Sequence, residues 1–516
     1  MAAGTVMAEE DLFGSLRRQS DPEKLEKQAK AVAEREASCS AKAEERLKYL
    51  LDDNSTLPIS VSSIQLVGAS HTRRSFLDKL FTPLLSCNRD APYTLSTALH
   101  EIGILSDKLS RFGIFQPEIS TFLDRSDLGP ASSPLTHIDI YLKARERGRL
   151  SLKTGTDLGN AEGSAYGNLT WRNVFGGAES LNLNASAGTR TRSAYQATFD
   201  SPLFSDPDQQ LSLNVLASST HKPWASHEEV LKEICAKYSW ASNYGTRHQL
   251  GYTGAWRQIT SLAAEASPTL RCEAGDSVKS SITHTIVKDN RDNHLLPTRG
   301  YYLKMLTEIA GWGPLQGDVA FWKSEIESTG ALLLPVPRKM SDIGITLTGG
   351  LRAGLLYPLP VGFGKEAIKT RINDRFQLGG PTDVRGFKLS GLGPQDGEDS
   401  VGGDVYAAAS TNLLFPLPRA GKDSPLRLQV FANAGRLLAL SDSASKDELG
   451  QKNVCRDVRD TLAELGNGLP SIAAGVGMVY AHPVARFELN FSLPLVARKG
   501  EKGRKGLQFG VGINFL

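Results

Sequence analysis

Beyond Arg149 the chain is a succession of short runs in which apolar and polar residues alternate, the period of a β-strand whose two faces meet different surroundings. In "SLNLNASAG" Leu181, Leu183, Ala185 and Ala187 share one face, and serine, asparagine and glycine take the other. "LSLNVLAS" repeats this with Leu211, Leu213, Val215 and Ala217, and "IGITLTGGLRAGL" with Ile343, Ile345, Leu347, Leu351, Ala353 and Leu355. In "LRLQVFANAG" Leu426, Leu428, Val430 and Ala432 oppose Arg427, Gln429, Phe431 and Asn433. In "RFELNFSLPL" Phe487, Leu489, Phe491 and Leu493 oppose Arg486, Glu488, Asn490 and Ser492. About sixteen such segments, at roughly 23 residues each with its connection, fit the spacing of transmembrane barrel strands. Charges at Arg352, Arg427, Arg486 and Glu488 on the polar face suit a wet lumen. A soluble β-sandwich or propeller has strands of the same period and is the alternative, although no propeller-like repeat is present.

Connection lengths add a direction. Counting from the first alternating segment, "FGGAE", "NYGT", "PRKMSD" and "HP" follow even strands and are short. The two longest connections, 360–403 and 441–469, follow odd strands, and this asymmetry is that of a membrane barrel. Upstream the texture differs. Residues 1–58 form a polar arm, partly helical or disordered, with a capping box at Ser20 and Glu23 and Pro22 in the first turn. Residues 59–146 read β-α-α-β-β: "ISVSSIQLVGA", a helix with Phe76, Leu80, Phe81 and Leu84 on one face, a second helix in "TLSTALHEIGILSDKLSRFG", then two strands. That is a compact α+β module.

Composition narrows the function classes. With 59 basic and 56 acidic residues the net charge is +3, so no single-sign field points to nucleic acid. The five cysteines are scattered and form no CxxC pair, which fits a reducing or disulfide-indifferent setting. The N-terminal residues have no apolar core of a secretory signal, and Glu9, Glu10 and Asp11 depart from an Arg-rich presequence. No apolar run is long enough for a membrane helix, which leaves a barrel open. HExxH, GxSxG, P-loop and GxGxxG patterns are missing, so the chain is expected not to be an enzyme and to need no cofactor or metal. "SKDELGQKNVCRDVRDTLAEL" is a helix candidate with Val454, Val458, Leu462 and Leu465 on one side, serving either as a docking surface or as a self-packed loop.

One stretch breaks the alternation: "RFQLGGPTDVRGFKLSGLG", Arg375 to Gly393. With Leu378-Gly379-Gly380 and Val384-Arg385-Gly386-Phe387 between the eleventh and twelfth strands, it resembles the sixth external loop of the POTRA–barrel family of outer-membrane assembly proteins. "DNRDNHLLPTRGYYL" (289–303) and "NVFGGAESL" (173–181) are similar to two turns of that family, and the α+β module to one POTRA domain. The likeness covers residues 59–516. A single POTRA and a signal-less start resemble the core barrel subunit of the mitochondrial sorting and assembly machinery. The resemblance implies an all-β transmembrane barrel of about sixteen antiparallel strands over 147–516, with POTRA at 59–146 in the intermembrane space and loop 360–403 folded into the lumen. It implies insertion of β-barrel precursors into the mitochondrial outer membrane. The implied partners are those precursors, membrane lipid, metaxin-like cytosol-facing subunits and intermembrane-space chaperones, with no nucleic acid. A two-partner-secretion pore is the alternative within membrane proteins.

The loop's glycines allow tight turns, and Arg385 offers a planar five-donor fork to the lumen wall. Bacterial relatives carry an aspartate where this chain has Asn433, so a neutral bond to Asn433, or help from Glu488, is expected. At the chain end Gln508-x-Gly510-x-x-Ile513-x-Phe515 resembles the mitochondrial β-signal, with Leu507, Phe509, Val511, Ile513 and Phe515 on one face. This strand is expected to pair with the first barrel strand, Leu150, Ser151, Leu152 and Lys153 included, and to open there as a lateral gate.

Overall fold

The computed structural model describes residues 45–90, 93–126, 136–159, 162–242, 244–334, 344–364, 366–417, 424–440, 451–483, 485–512 and Phe515, with isolated positions between 35 and 43. The capping box at Ser20, the turn at 337–342, Ile343 and Ile513 lie outside the described residues. Two units separate by contact: Met1–Ser70 with Leu77–Glu146, and His71–Phe76 with Arg147–Leu516.

The first unit is a mixed α+β module. Strands β1 (Pro58–Val67), β2 (Tyr93–Thr94), β3 (Ser120–Arg125) and β4 (Thr136–Lys143) form one sheet in the order β2-β1-β4-β3. β1 and β4 run parallel, with helices α1 (Arg74–Asp90) and α2 (Leu95–Arg111) between them in the chain. Thr94 caps α2 by accepting from the Thr97 amide, and Leu95, Ala98, Ile102, Leu105 and Leu109 make its buried stripe. The sequence pattern missed only β2, whose two residues are too few to show a period.

The second unit is a barrel of sixteen strands. In order these are β5 (Leu150–Gly159), β6 (Glu162–Arg172), β7 (Ser180–Gly188), β8 (Thr191–Pro202), β9 (Gln209–Lys222), β10 (His227–Ala241), β11 (Thr246–Thr260) and β12 (Gly275–Asp289). They continue as β13 (Gly300–Ala310), β14 (Phe321–Leu333), β15 (Thr346–Pro358), β18 (Val405–Pro416), β19 (Leu426–Leu438), β20 (Ser471–Ala481), β21 (Arg486–Val496) and β22 (Gly506–Gly512). Each pairs antiparallel with the next in sequence, and the small hairpin β16 (Gln395–Asp396) and β17 (Asp399–Ser400) lies inside the long loop.

Burial along these strands is inverted relative to a soluble sheet. In β21 Arg486, Glu488, Asn490 and Ser492 are buried, whereas Leu489 and Phe491 are 40% and 45% exposed. β9 repeats this, with Asn214 buried and Leu213 and Val215 exposed. Polar side chains hydrogen-bond inside and apolar ones face outward, the arrangement a lipid environment requires of a closed sheet. No helix among the described residues is long and apolar enough to cross a membrane. Helix α3 (Pro268–Cys272) is a single capped turn, and α4 (Gln451–Gly466) packs Val454 and Val458 onto Ala367, Leu355 and Tyr357. The buried stripe of α4 runs Val454, Val458, Thr461, while Leu462, one position off it, is exposed. That departs from the face drawn from sequence.

Candidate functional site: the lumenal loop and the strand seam

The loop between β15 and β18 folds into the lumen and is held on opposite walls. On one side Asp374 takes both terminal nitrogens of Arg257 in β11, at 2.6 and 3.0 Å, with both side chains buried. Glu273 receives the Ile372 amide at 2.6 Å. Further along, Asp383 accepts from the Gly379 amide (2.9 Å) and from Arg352 of β15 (3.3 Å), which also binds Glu327 (2.9 Å). The loop brings its own apolar core: Phe376, Leu378, Val384, Phe387 and Leu392 pack with Phe321, Leu356, Leu437 and Ala473 of the wall.

At the tip Val384-Arg385-Gly386-Phe387 meets the last strands. Arg385 is fully buried and donates through Nε to Glu488 Oε2 (3.0 Å) and through Nη2 to Oε1 (3.3 Å), a bidentate pair. Its Nη1 reaches Asn412 and Asn433, each at 3.3 Å. Glu488 also accepts from Asn490 (2.8 Å) and Gln429 (3.2 Å) and lies 2.5 Å from Arg486. The two partners weighed for Arg385, Asn433 and Glu488, are thus both in contact, and the charge sits on β21 instead of β19. Phe431 covers one side of the Arg385 guanidinium at 4.9 Å.

Gly386 has φ +88°, and a Cβ there would lie 2.6 Å from the Ala473 methyl. Gly379 and Gly380 also have positive φ and form the turn that reverses the loop, where the Gly380 amide donates to Val384 O. The tip runs alongside the segment leading into β22: Arg504 donates to Gly386 O (2.8 Å), Lys388 to Lys502 O (2.9 Å), and Lys502 to Gly391 O (2.8 Å).

β22 turns Leu507 and Phe509 outward and Gln508 and Gly510 inward, as the alternation predicts. Phe515 does not follow. It is 8% exposed and its ring lies 5.0 Å from the Arg486 guanidinium and 5.9 Å from that of Arg385. Phe515 itself lies outside the strand, so the alternation no longer governs it, and two guanidiniums attract an aromatic face that lipid would otherwise take.

The expected pairing of the first and last strands is also modified. β5 and β22 are the two ends of the sheet and come within 8 Å between Cα atoms, yet no ladder joins them among the described residues. Every other neighbouring pair is laddered. Leu150 and Leu152 on β5 are exposed, and Ser151 and Lys153 alternate with them. β22 is seven residues long and includes Gly506, Gly510 and Gly512, which contribute no side-chain packing.

Two turns at the other end are self-bonded. In "NVFGGAE" the Glu179 carboxylate accepts the Gly177 amide (2.8 Å), and Asn173 accepts the Ala178 amide (3.0 Å). In 289–299 Arg291 grips Asp289 through two nitrogens, and Asp292 accepts from the Thr298 and Arg299 amides. Burial pushes the Asp292 carboxyl up, but these bonds and the Thr298 hydroxyl outweigh it and hold it below the usual carboxylate range. Leu296 enters the lumen against Leu414 and Val479, and Arg486 reaches Leu295 O. Sequence reasoning missed Arg257, Asp374 and Asp383, and put Arg352 on the lumenal face without its partners. The acidic residues in the loop and the arginines on the polar faces were visible, but not their pairing.

Comparison with known proteins agrees with this geometry. The Omp85 superfamily domain matches residues 173–515. A SAM50-like protein of Schizosaccharomyces pombe is 39% identical over 92% of this chain and 95% of its own length. Sorting and assembly machinery component 50 homolog B of Xenopus laevis is 34% identical over 80% of this chain and 82% of its own. Among solved structures, BamA from Haemophilus ducreyi lacking POTRA domains 1–3 superposes with a TM-score of 0.66 at 17% identity, covering 88% of this chain and 84% of that one. With its sixteen-stranded wall and in-folded loop, the chain belongs to the Omp85 superfamily, in the family of sorting and assembly machinery component 50 homologues.

Proposed function

We propose that this chain inserts β-barrel precursors into the mitochondrial outer membrane, through a lateral gate between β5 and β22. The observation that carries the reading is the seam: among the described residues fifteen neighbouring pairs are laddered and the sixteenth is not. Unpaired strand edges are costly in lipid, so an arriving strand that adds to β5 keeps its backbone groups satisfied while the seam is open. The precursor's last strand pairs with β5 and displaces β22, with no nucleotide or cofactor. The relatives named for the sorting and assembly machinery support that role. The α+β module acts as the POTRA domain in the intermembrane space, within reach of chaperones there. Metaxin-like subunits bind on the cytosolic side.

The test is disulfide trapping in a cysteine-free background. Single cysteines at Ser151 or Lys153 in β5, and at Gln508 in β22, are paired with a cysteine-scanned terminal strand of an arriving barrel precursor. Register-specific links to β5, with loss of the β5–β22 link, are expected. Links confined to the chain's own seam, while precursor accumulates in the lumen, would refute the gate.

A further inference from the structure

The end strand β5 carries a glycine that its backbone does not need. Gly155 lies in the middle of β5 without a positive φ, and glycine weakens a strand. The reason for it is the side chain directly across the pair. Tyr166 of β6 opposes Gly155, on the lumenal face with Asn168, which opposes Lys153. Its ring folds over the glycine: a Cβ at Gly155 would stand 2.7 Å from the Tyr166 hydroxyl oxygen and 2.8 Å from its Cζ. The far end of the ring, not its stem, therefore covers the edge strand. Tyr166 is 39% exposed, and among the described residues no group bonds its hydroxyl. β22, the resting neighbour of β5, forms no ladder with it among the described residues.

We infer that the Tyr166 hydroxyl is a specificity-determining group, which reads the side chain opposite Gly155 on a strand laid against β5; this rests on the strand-exchange function proposed above. Directly opposed residues of an antiparallel pair have Cβ atoms about 4.5–5.5 Å apart. A strand added to the edge at this level therefore brings its lumen-facing side chain within reach of the hydroxyl. A phenol both donates and accepts, so asparagine, glutamine, serine or threonine there gains a hydrogen bond, and leucine or valine does not. The distinction bears on register. A barrel strand alternates polar and apolar residues, so a slip of one residue exchanges the polar side chain opposite Gly155 for an apolar one. One hydroxyl on the accepting strand thus favours the register that keeps polar residues in the lumen. Glycine at this position is what lets the hydroxyl reach the edge, since a Cβ there pushes the ring aside.

The probe is a synthetic peptide of residues 486–516, the last hairpin, with one cysteine scanned along its second strand. It is presented to the full chain in lipid vesicles, cysteine-free except for Ser151→Cys. The scan identifies the peptide position opposite Ser151, and the residue four places earlier then lies opposite Gly155. Asparagine and leucine are compared at that place by the peptide concentration giving half-maximal disulfide. Leucine is expected to need about fivefold more peptide than asparagine, the worth of one net hydrogen bond. Tyr166→Phe keeps the ring over the glycine and lacks only the hydroxyl, whereas Gly155→Ala keeps the hydroxyl and displaces it. Both should bring the two peptides to equal concentrations. A ring that merely covers the glycine would be replaced by phenylalanine without effect. Equal linking by the two peptides in the unaltered chain overturns the inference and leaves the gate standing, and so does a preference that survives in either variant. If no peptide links to β5, strand exchange fails and this inference falls with it.

Discussion

The lumenal charge cluster has an odd count, and that makes its variants unequal. Arg385, Arg486 and Glu488 are all buried, so two cations share one carboxylate. Arg385→Ala removes a bidentate charged contact and two bonds to Asn412 and Asn433, but Glu488 keeps Arg486, Gln429 and Asn490. The Arg486–Glu488 pair remains, and the loss should be about 1.5–3 kcal/mol, the range for hydrogen bonds to charged groups. Glu488→Gln keeps the shape but removes the carboxylate that both guanidiniums contact among the described residues. Stranding buried charge costs about 3–5 kcal/mol, so this nearly isosteric change should be the more damaging one. Urea unfolding of the purified barrel in detergent, followed by tryptophan fluorescence, gives the comparison directly. The double variant adds a check: removing Arg385 in the Glu488→Gln background relieves one stranded cation, so the combined loss should fall below the sum of the two. If Glu488→Gln unfolds at the same urea concentration as Arg385→Ala or higher, the charge-count argument is wrong and the lumen screens these groups as water would.

Gly386→Ala should cost about 1–3 kcal/mol, since it combines a positive φ with a 2.6 Å approach to Ala473; urea midpoints check it, and an unchanged midpoint would mean the tip moves freely. Arg436 of β19 donates to the carbonyls of Leu465 (3.0 Å) and Asn467 (2.9 Å), with Glu464 O also in contact, so Arg436→Ala should raise amide exchange at the end of α4 while leaving the strands protected. Asp292 has its pKa depressed in the folded chain, so it adds stability above its unfolded pKa of about 3.9, and that stability disappears as pH falls through the folded value. Acid should therefore speed exchange of the Thr298 and Arg299 amides below about pH 4, and Asp292→Asn should flatten that dependence. No change on going to asparagine would assign the acid effect to Asp289 instead.

Much of the wall could be read from sequence because a barrel strand keeps two faces in two environments along its whole length. Leu489 and Glu488 are neighbours with opposite fates, and alternation states this without any knowledge of tertiary structure. The loop has no such period. Its glycines and Arg385 could be singled out, but Arg257 and Asp374 are 117 positions apart and nothing local predicts their pairing. Phe515 shows the limit from the other side. Alternation put it in lipid, but it lies outside the strand and turns inward. The role of Gln508 was read only as a polar position in a pattern; that its amide binds loop backbone required coordinates.

The order of the strands also constrains how the chain itself becomes a barrel. Every ladder of the wall joins consecutive wall strands, so the wall can grow hairpin by hairpin, with short closures everywhere except across the two long connections after β15 and β19. Meeting of β5 and β22 is the one wall event that spans the whole domain, and it comes last. Yet the loop after β15 is bonded to Lys502 and Arg504, just ahead of β22. The loop tip and the segment that leads into the last strand therefore settle against each other, whichever arrives first. Closure of the wall and docking of the loop are thus coupled through one short segment ahead of β22.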